Sequence, residues 1–264
     1  MSRLIDELNK TAKVTPQPMG FKSALPTSSK PRIILIAGLA EIGDADQSGG
    51  LVDGSDAVLI RLSKSDLTAK TLQKNTDSMP DLPWGGWLDN IGIKKMETLV
   101  GAGCDFLVFP STSQFVAPLK DDKPGKILQV ELSLDEGLVR AINDLPVEAV
   151  FAANTWKADD SLAWHHLMRF QYFSNLLNKP LLVSVPMNVT SDELKALWEA
   201  GVEGVVVEAG ASQLTGRLKE LRMAIDKITF PLSRKRGKTE AILPRMGVES
   251  AMITEDEEDE EEYQ

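Results

Sequence analysis

Leu99 to Phe109 reads LVGAGCDFLVF and Leu197 to Val207 reads LWEAGVEGVVV. Each is the end of an amphipathic segment, then a glycine, one further residue, an acid and an apolar run. A helix that leads into a strand needs a left-handed residue at its C-terminus, and glycine adopts that conformation without steric cost. The acid after it is placed to accept hydrogen bonds from backbone donors left exposed in the turn. The same punctuation recurs at Gly54-Ser55-Asp56 before Ala57 to Leu62. With proline in place of glycine, it recurs again at Pro146-Val147-Glu148 before Ala149 to Ala153.

Four more apolar runs alternate with these, each entered through a proline: Pro31 before Arg32 to Ala37, Pro83 before Trp84 to Leu88, Pro124 before Lys126 to Glu131, and Pro180 before Leu181 to Val185. Proline ends a helix and biases its neighbours to extended geometry, so it does by another route what the glycine does. The runs are near-continuous in Val, Ile, Leu and Phe, as in a parallel sheet covered on both faces. Amphipathic segments lie between them, with apolar faces such as Leu162, Leu167, Phe170, Phe173 and Leu177, or Leu214, Leu218, Leu221 and Ile225. Thr190 to Glu193 opens one of these with a capping residue and acids in its first turn. This two-strand rhythm, repeated four times, predicts an α/β fold: a (β/α)8 TIM barrel of eight parallel strands. An open doubly wound sheet shares much of the local pattern, but eight units with none left over favour closure.

Residues 1–30 are expected to hold a short amphipathic helix, with Leu4, Ile5 and Leu8 on one side, and a Pro/Ser/Thr-rich linker. Such a helix is suited to covering the bottom of a barrel. Residues 31–230 form the barrel, and residues 231–264 a basic cluster (Ser233 to Lys238, SRKRGK) followed by a disordered acidic tail. The whole chain of 264 residues carries a net charge of −10, but eight acids fall in Glu255 to Glu262. The remaining 31 acids face 29 bases, so the body is nearly neutral and offers no basic face for nucleic acid. No apolar run approaches the roughly 20 residues of a membrane span. The single Cys104 excludes a disulfide framework and points to a reducing cytoplasm.

The segments Leu99 to Phe109 and Leu197 to Val207 resemble the "helix, Ala-Gly-x-Asp, strand" units of phosphate-binding (β/α)8 enzymes, the indole-3-glycerol-phosphate synthases and phosphoribosylanthranilate isomerases. The resemblance covers Arg32 to Lys227 and implies architecture. Those enzymes carry catalytic Lys, Asp, Glu or Cys at the ends of early strands and a glycine-rich phosphate grip after the last two. Here the first strand ends Ile36-Ala37-Gly38-Leu39, with no ionisable side chain before Glu41, and the seventh ends Val185-Pro186-Met187-Asn188. At the end of the eighth, Gly210 and Ser212 suit a phosphate, whereas Glu208 would repel it.

A barrel builds its site from the C-terminal strand ends. Glu131 shares a strand face with Ile127 and Gln129, and is the candidate general base if that face points inward; otherwise it caps the next helix or pairs at the rim. Arg61, the one cation ending an early strand, suits a phosphate or carboxylate, or else a rim ion pair. Trp84 and Trp87 flank Gly85-Gly86 and form either an aromatic wall for a planar ligand or packing under the helices. Asn154 and Lys157 offer polar groups after the sixth strand. His165 and His166 are adjacent in a helix and so diverge by about 100°, no metal pair. No cofactor motif is present, and Cys104 reads as a buried structural thiol.

Two functional expectations follow. One is a lyase or isomerase acting on a small anionic metabolite, with Glu131 catalytic and Arg61, Trp84, Gln129, Asn154 and Ser212 binding substrate. The other is a non-catalytic barrel that binds or assembles through its C-terminal extension, as a homo-oligomer or with a basic protein held by the acidic tail.

Overall fold

The computed structural model describes residues 2–12, 32–39, 52–62, 82–88, 93–113, 123–156, 160–209 and 216–229. Eight strands, β1 (Ile34–Leu39), β2 (Ala57–Arg61), β3 (Trp84–Trp87), β4 (Phe106–Pro110), β5 (Gly125–Val130), β6 (Ala149–Ala152), β7 (Leu181–Val185) and β8 (Gly204–Ala209), pair in sequence order and close β8 onto β1. Every pairing is parallel, so the (β/α)8 barrel read from the sequence is the fold. Helices α1 (Arg3–Ala12), α2 (Ile93–Gly101), α3 (Glu136–Ala141), α4 (Trp164–Leu176), α5 (Ser191–Glu199) and α6 (Arg217–Lys227), with a 3-10 turn at Ile142–Asp144, complete the described elements. No helix among the described residues is long and apolar enough to cross a membrane. Lys157, Gly210, Ser212, the basic cluster and the acidic run lie outside the described residues.

Two apolar layers follow from strand alternation. The inward row, with Ile34, Ile36, Leu59, Trp87, Phe106, Val108, Ile127, Phe151, Leu182 and Val206, forms one cluster with Leu4, Ile5 and Leu8 of α1. The outward row packs with α2 to α6 in a second, larger cluster. Helix α1 therefore closes the bottom of the barrel, as its amphipathic pattern suggests. Gly125 makes room for it, since a Cβ there would lie 2.6 Å from Ile5 and 2.8 Å from Ser2.

The glycine punctuation acts as expected. Gly54, Gly103 and Gly201 have φ of +95°, +84° and +94°. After α2, Cys104 N–H reaches Leu99 C=O (3.0 Å) and Gly103 N–H reaches Val100 C=O (3.1 Å); after α5, Val202 and Gly201 repeat this onto Leu197 and Trp198 (both 3.0 Å). Both quoted segments are thus Schellman motifs, which satisfy the last carbonyls of the helix.

The acids differ from expectation in their partners, which belong to the preceding strand rather than to the turn. Asp56 N–H donates to Leu35 C=O at 2.7 Å, and Leu35 N–H donates back to the Asp56 carboxylate at 2.8 Å. Glu148 clamps Lys126 in the same two-point way, with its carboxylate at 2.6 Å, and Glu203 clamps Leu181 at 2.8 Å. Each even strand thereby locks the start of the odd strand before it, which is why the acid appears at every second strand. Asp105 is the variation. Its N–H donates to Trp84 C=O, but its carboxylate turns to α1, accepting from Ser2 Oγ (2.8 Å), Arg3 N–H (2.7 Å) and Leu4 N–H (3.0 Å). A carboxylate at a helix N-terminus satisfies orphan donors and complements the helix dipole. The fourth clamp is spent on the plug.

Candidate functional site

The mouth lies at the C-terminal ends of the strands, and alternation decides which side chains face it. Ile127 is interior, so Gln129 on the same face is too, and the condition set for that face is met. Trp84 and Trp87 are three apart in one strand and take opposite faces. Trp84 is buried in the outer, helix-side layer, whereas Trp87 packs inward.

Trp87 organises one half of the mouth. Its indole N–H donates to Gln129 Oε1 at 2.7 Å across the barrel, and Phe151 meets the ring edge-on at 5.5 Å between centroids. The Arg61 guanidinium sits 4.0 Å above the ring. The cation thus has an apolar seat, while the residue is exposed to solvent. Among the described residues its N–H donors have no hydrogen-bond or ion-pair partner.

Asn154 belongs to a second arrangement. Its backbone N–H donates to Ser184 Oγ at 2.6 Å and its C=O accepts from the same hydroxyl at 3.0 Å. Trp156 Nε1 also donates to Ser184 Oγ at 3.2 Å. One O–H donor and two acceptor sites are thereby all used, so the fully buried Ser184 anchors the segment after β6 and is not a free nucleophile. Glu131 is exposed at the rim, and its carboxylate accepts from Ser133 Oγ at 3.1 Å. The structure brings Arg61 and Gln129 together through Trp87, sets Asn154 beside Ser184, and leaves Glu131 and Trp84 apart from both.

Glu208 is the mouth residue whose role the sequence reading missed. It continues the inward row of Gly204 and Val206 on β8 and pairs in register with Gly38 of β1. A Cβ on Gly38 would lie 2.8 Å from Glu208 Cγ, so the carboxylate-bearing arm occupies the space that glycine leaves. Desolvation raises its pKa above the ordinary 4.5, and the attraction of Arg61 only partly offsets this. The residue keeps an open side, so the shift is smaller in consequence than that of a sealed carboxylate. The even spacing from Val206 was the available signal.

Other candidates resolve into structure. Cys104 is buried, donates to Phe106 C=O at 3.2 Å, and is pushed up to about 12 by burial. The His165 and His166 rings lie 3.8 Å apart rather than diverging. His166 Nδ1 accepts the Ala163 N–H at the start of α4, which takes one ring nitrogen. Among the described residues no group of three or more His, Cys, Asp or Glu is placed to hold a metal ion.

No family model matches the chain, and no curated protein matches it. Solved structures do. A tryptophan synthase structure from Mycobacterium tuberculosis aligns with a TM-score of 0.60 at 15% identity, covering 85% of this chain and 98% of that one. A protein from Aquifex aeolicus VF5 aligns at 0.56 and 14%, covering 74% and 95%. A mutant tryptophan synthase alpha-subunit from Pyrococcus furiosus aligns at 0.55 and 11%, covering 73% and 96%. The likeness is one of fold. It supports the closed barrel and leaves the residues of the mouth to speak for themselves.

Proposed function

We propose that the barrel mouth binds a small anionic metabolite, carboxylated or phosphorylated, and carries out proton-transfer chemistry of the lyase or isomerase type. The observation that carries this reading is the pairing of an exposed Arg61, seated on Trp87, with a partly desolvated carboxylate at Glu208 that keeps a side open to solvent. A guanidinium whose N–H groups have no partner among the described residues is suited to bidentate recognition of a carboxylate or phosphate. A carboxylate whose pKa is raised holds a proton more readily than an ordinary one, which suits it to general acid or base work. Glu208 takes the acid/base role in preference to Glu131, whose carboxylate is engaged by Ser133. Gln129 holds the Trp87 indole and is a positioning residue; Asn154, anchored through Ser184, is a further substrate contact in this reading.

The test is turnover across a panel of small carboxylates and phosphate esters, with Glu208→Gln and Glu131→Gln compared. Loss of about 10²-fold or more in kcat for Glu208→Gln, with Glu131→Gln near wild type, supports the assignment; the reverse order returns the role to Glu131. Tryptophan synthases are among the structural neighbours, and a lyase-type reaction on this chain draws support from them only through the shared barrel.

A second reading, of a binding or assembly protein, is favoured by apolar side chains on α3 and α4. Trp164 is 82% exposed, Met168 69% and Leu138 53%. Molecular mass in solution, measured after removing the residues after Lys227 and separately for Trp164→Ser, separates the two, since a partner held by the extension or by α4 would be lost while the barrel remains folded.

A further inference from the structure

Arg61 on β2 and Glu208 on β8 are separated by β1 alone, so their backbones stand about 10 Å apart sideways at ordinary strand spacing, with Arg61 two residues further toward the mouth. Gly38 of β1 is in register with both Glu208 and Leu59, and Arg61 follows Leu59 by two residues on the same face. Glu208 lies over Gly38, in the space a side chain there would fill. At Gly38, the β1 position in register with Glu208, no side chain stands between the two charges. They interact across the mouth, yet among the described residues no ion pair or hydrogen bond joins them or engages either side chain, and Arg61 has the Trp87 ring as its contact.

Opposite charges that face each other without contact leave a gap with two chemical demands. A simple anion on Arg61 would lie beside a carboxylate and be repelled by it. A simple cation on Glu208 would meet the guanidinium in the same way. A molecule bearing both charges meets both demands. Taking the mouth as an anion site, as above, we propose that its ligand is a small zwitterion of the amino-carboxylate class, with its carboxylate on the Arg61 guanidinium and its ammonium on the Glu208 carboxylate. Neither charge is then left unpaired when water is displaced, which is the condition for a desolvated charged site to bind at all. The Trp87 ring beneath Arg61 keeps the guanidinium in place before the ligand arrives, so less side-chain freedom is lost on binding.

The experiment is isothermal titration calorimetry of the full-length chain at neutral pH with glycine, β-alanine, γ-aminobutyrate and δ-aminovalerate. Each is set against the carboxylate lacking its amine (acetate, propionate, butyrate and valerate), with inorganic phosphate as a further probe. One chain length in the amino series should bind at least about tenfold tighter than its partner carboxylate, a difference of about 1.4 kcal/mol. Glu208→Gln should erase that preference without weakening the simple carboxylates; Arg61→Gln should lose both series, and Arg61→Lys should keep part of each. Melting curves of all three variants confirm that they fold. If simple carboxylates or phosphate bind as well as the amino series, the zwitterion inference is overturned and the anion site stands. If no probe binds at millimolar concentration, both are overturned.

Discussion

At Gly201 a backbone requirement and a packing requirement coincide. Its φ is +94°, and a Cβ would fall 1.8 Å from Ser174 Oγ. Gly103, in the equivalent turn, has φ of +84° and nothing within 4 Å. Gly103→Ala should therefore cost only the left-handed penalty, about 1–2 kcal/mol. Gly201→Ala should add about 1–3 kcal/mol of overpacking. Urea denaturation of the two variants measures this, and equal losses would show that Ser174 moves aside freely. His166 makes a second prediction. Burial first, and then the neighbouring His165, hold its pKa below the ordinary 6.5, against the pull of Asp160. A histidine depressed in the folded state contributes stability that is complete above its unfolded pKa and is lost as pH falls through the folded value. Because the neutral Nδ1 accepts the Ala163 N–H, hydrogen exchange at that amide, corrected for its intrinsic rate, should accelerate as pH drops below 6.5. Unchanged protection there would contradict the cap.

The clamps relate the strands to one another and to α1. Glu148 and Glu203 lock their strands within the barrel, whereas the Asp105 carboxylate gathers the first turn of α1. Asp105→Ala should cost about 2 kcal/mol, as for loss of a strong N-cap. Its distinguishing effect should be local: α1 becomes cleavable by protease while the barrel still melts cooperatively. Glu148→Ala should lower stability by about 1 kcal/mol without exposing α1. If both variants lower global stability alone, the plug is held by Leu4, Ile5 and Leu8 and not by Asp105.

Across the molecule, the two ends of the barrel were unequally legible. The bottom is written in local punctuation, because a left-handed glycine or a proline ends each helix and an acid clamps every second strand to the one before it. Those residues could be read one segment at a time. The mouth depends on pairings between distant residues. The Trp87 and Gln129 bond joins positions 42 apart, and Glu208 gains its meaning from Gly38 on the strand that closes the barrel. Period-two alternation would have separated Trp84 from Trp87 and placed Glu208 beside Val206. What it could not give is that Glu131 is held by Ser133, or that Arg61 rests on an indole.

The claim that the mouth keeps a carboxylate for use rather than for stability is tested most directly by the melting temperature of Glu208→Gln across pH. Because the folded-state pKa is raised, the group's contribution is full below the unfolded pKa and is lost as pH rises through the folded value, leaving an ionised carboxylate as a burden at neutral pH. Glu208→Gln should then melt above the wild type at pH 7, with the difference closing as pH falls below the ordinary carboxylate value of 4.5. A variant that melts below the wild type at pH 7 would make Glu208 a structural carboxylate and contradict the account.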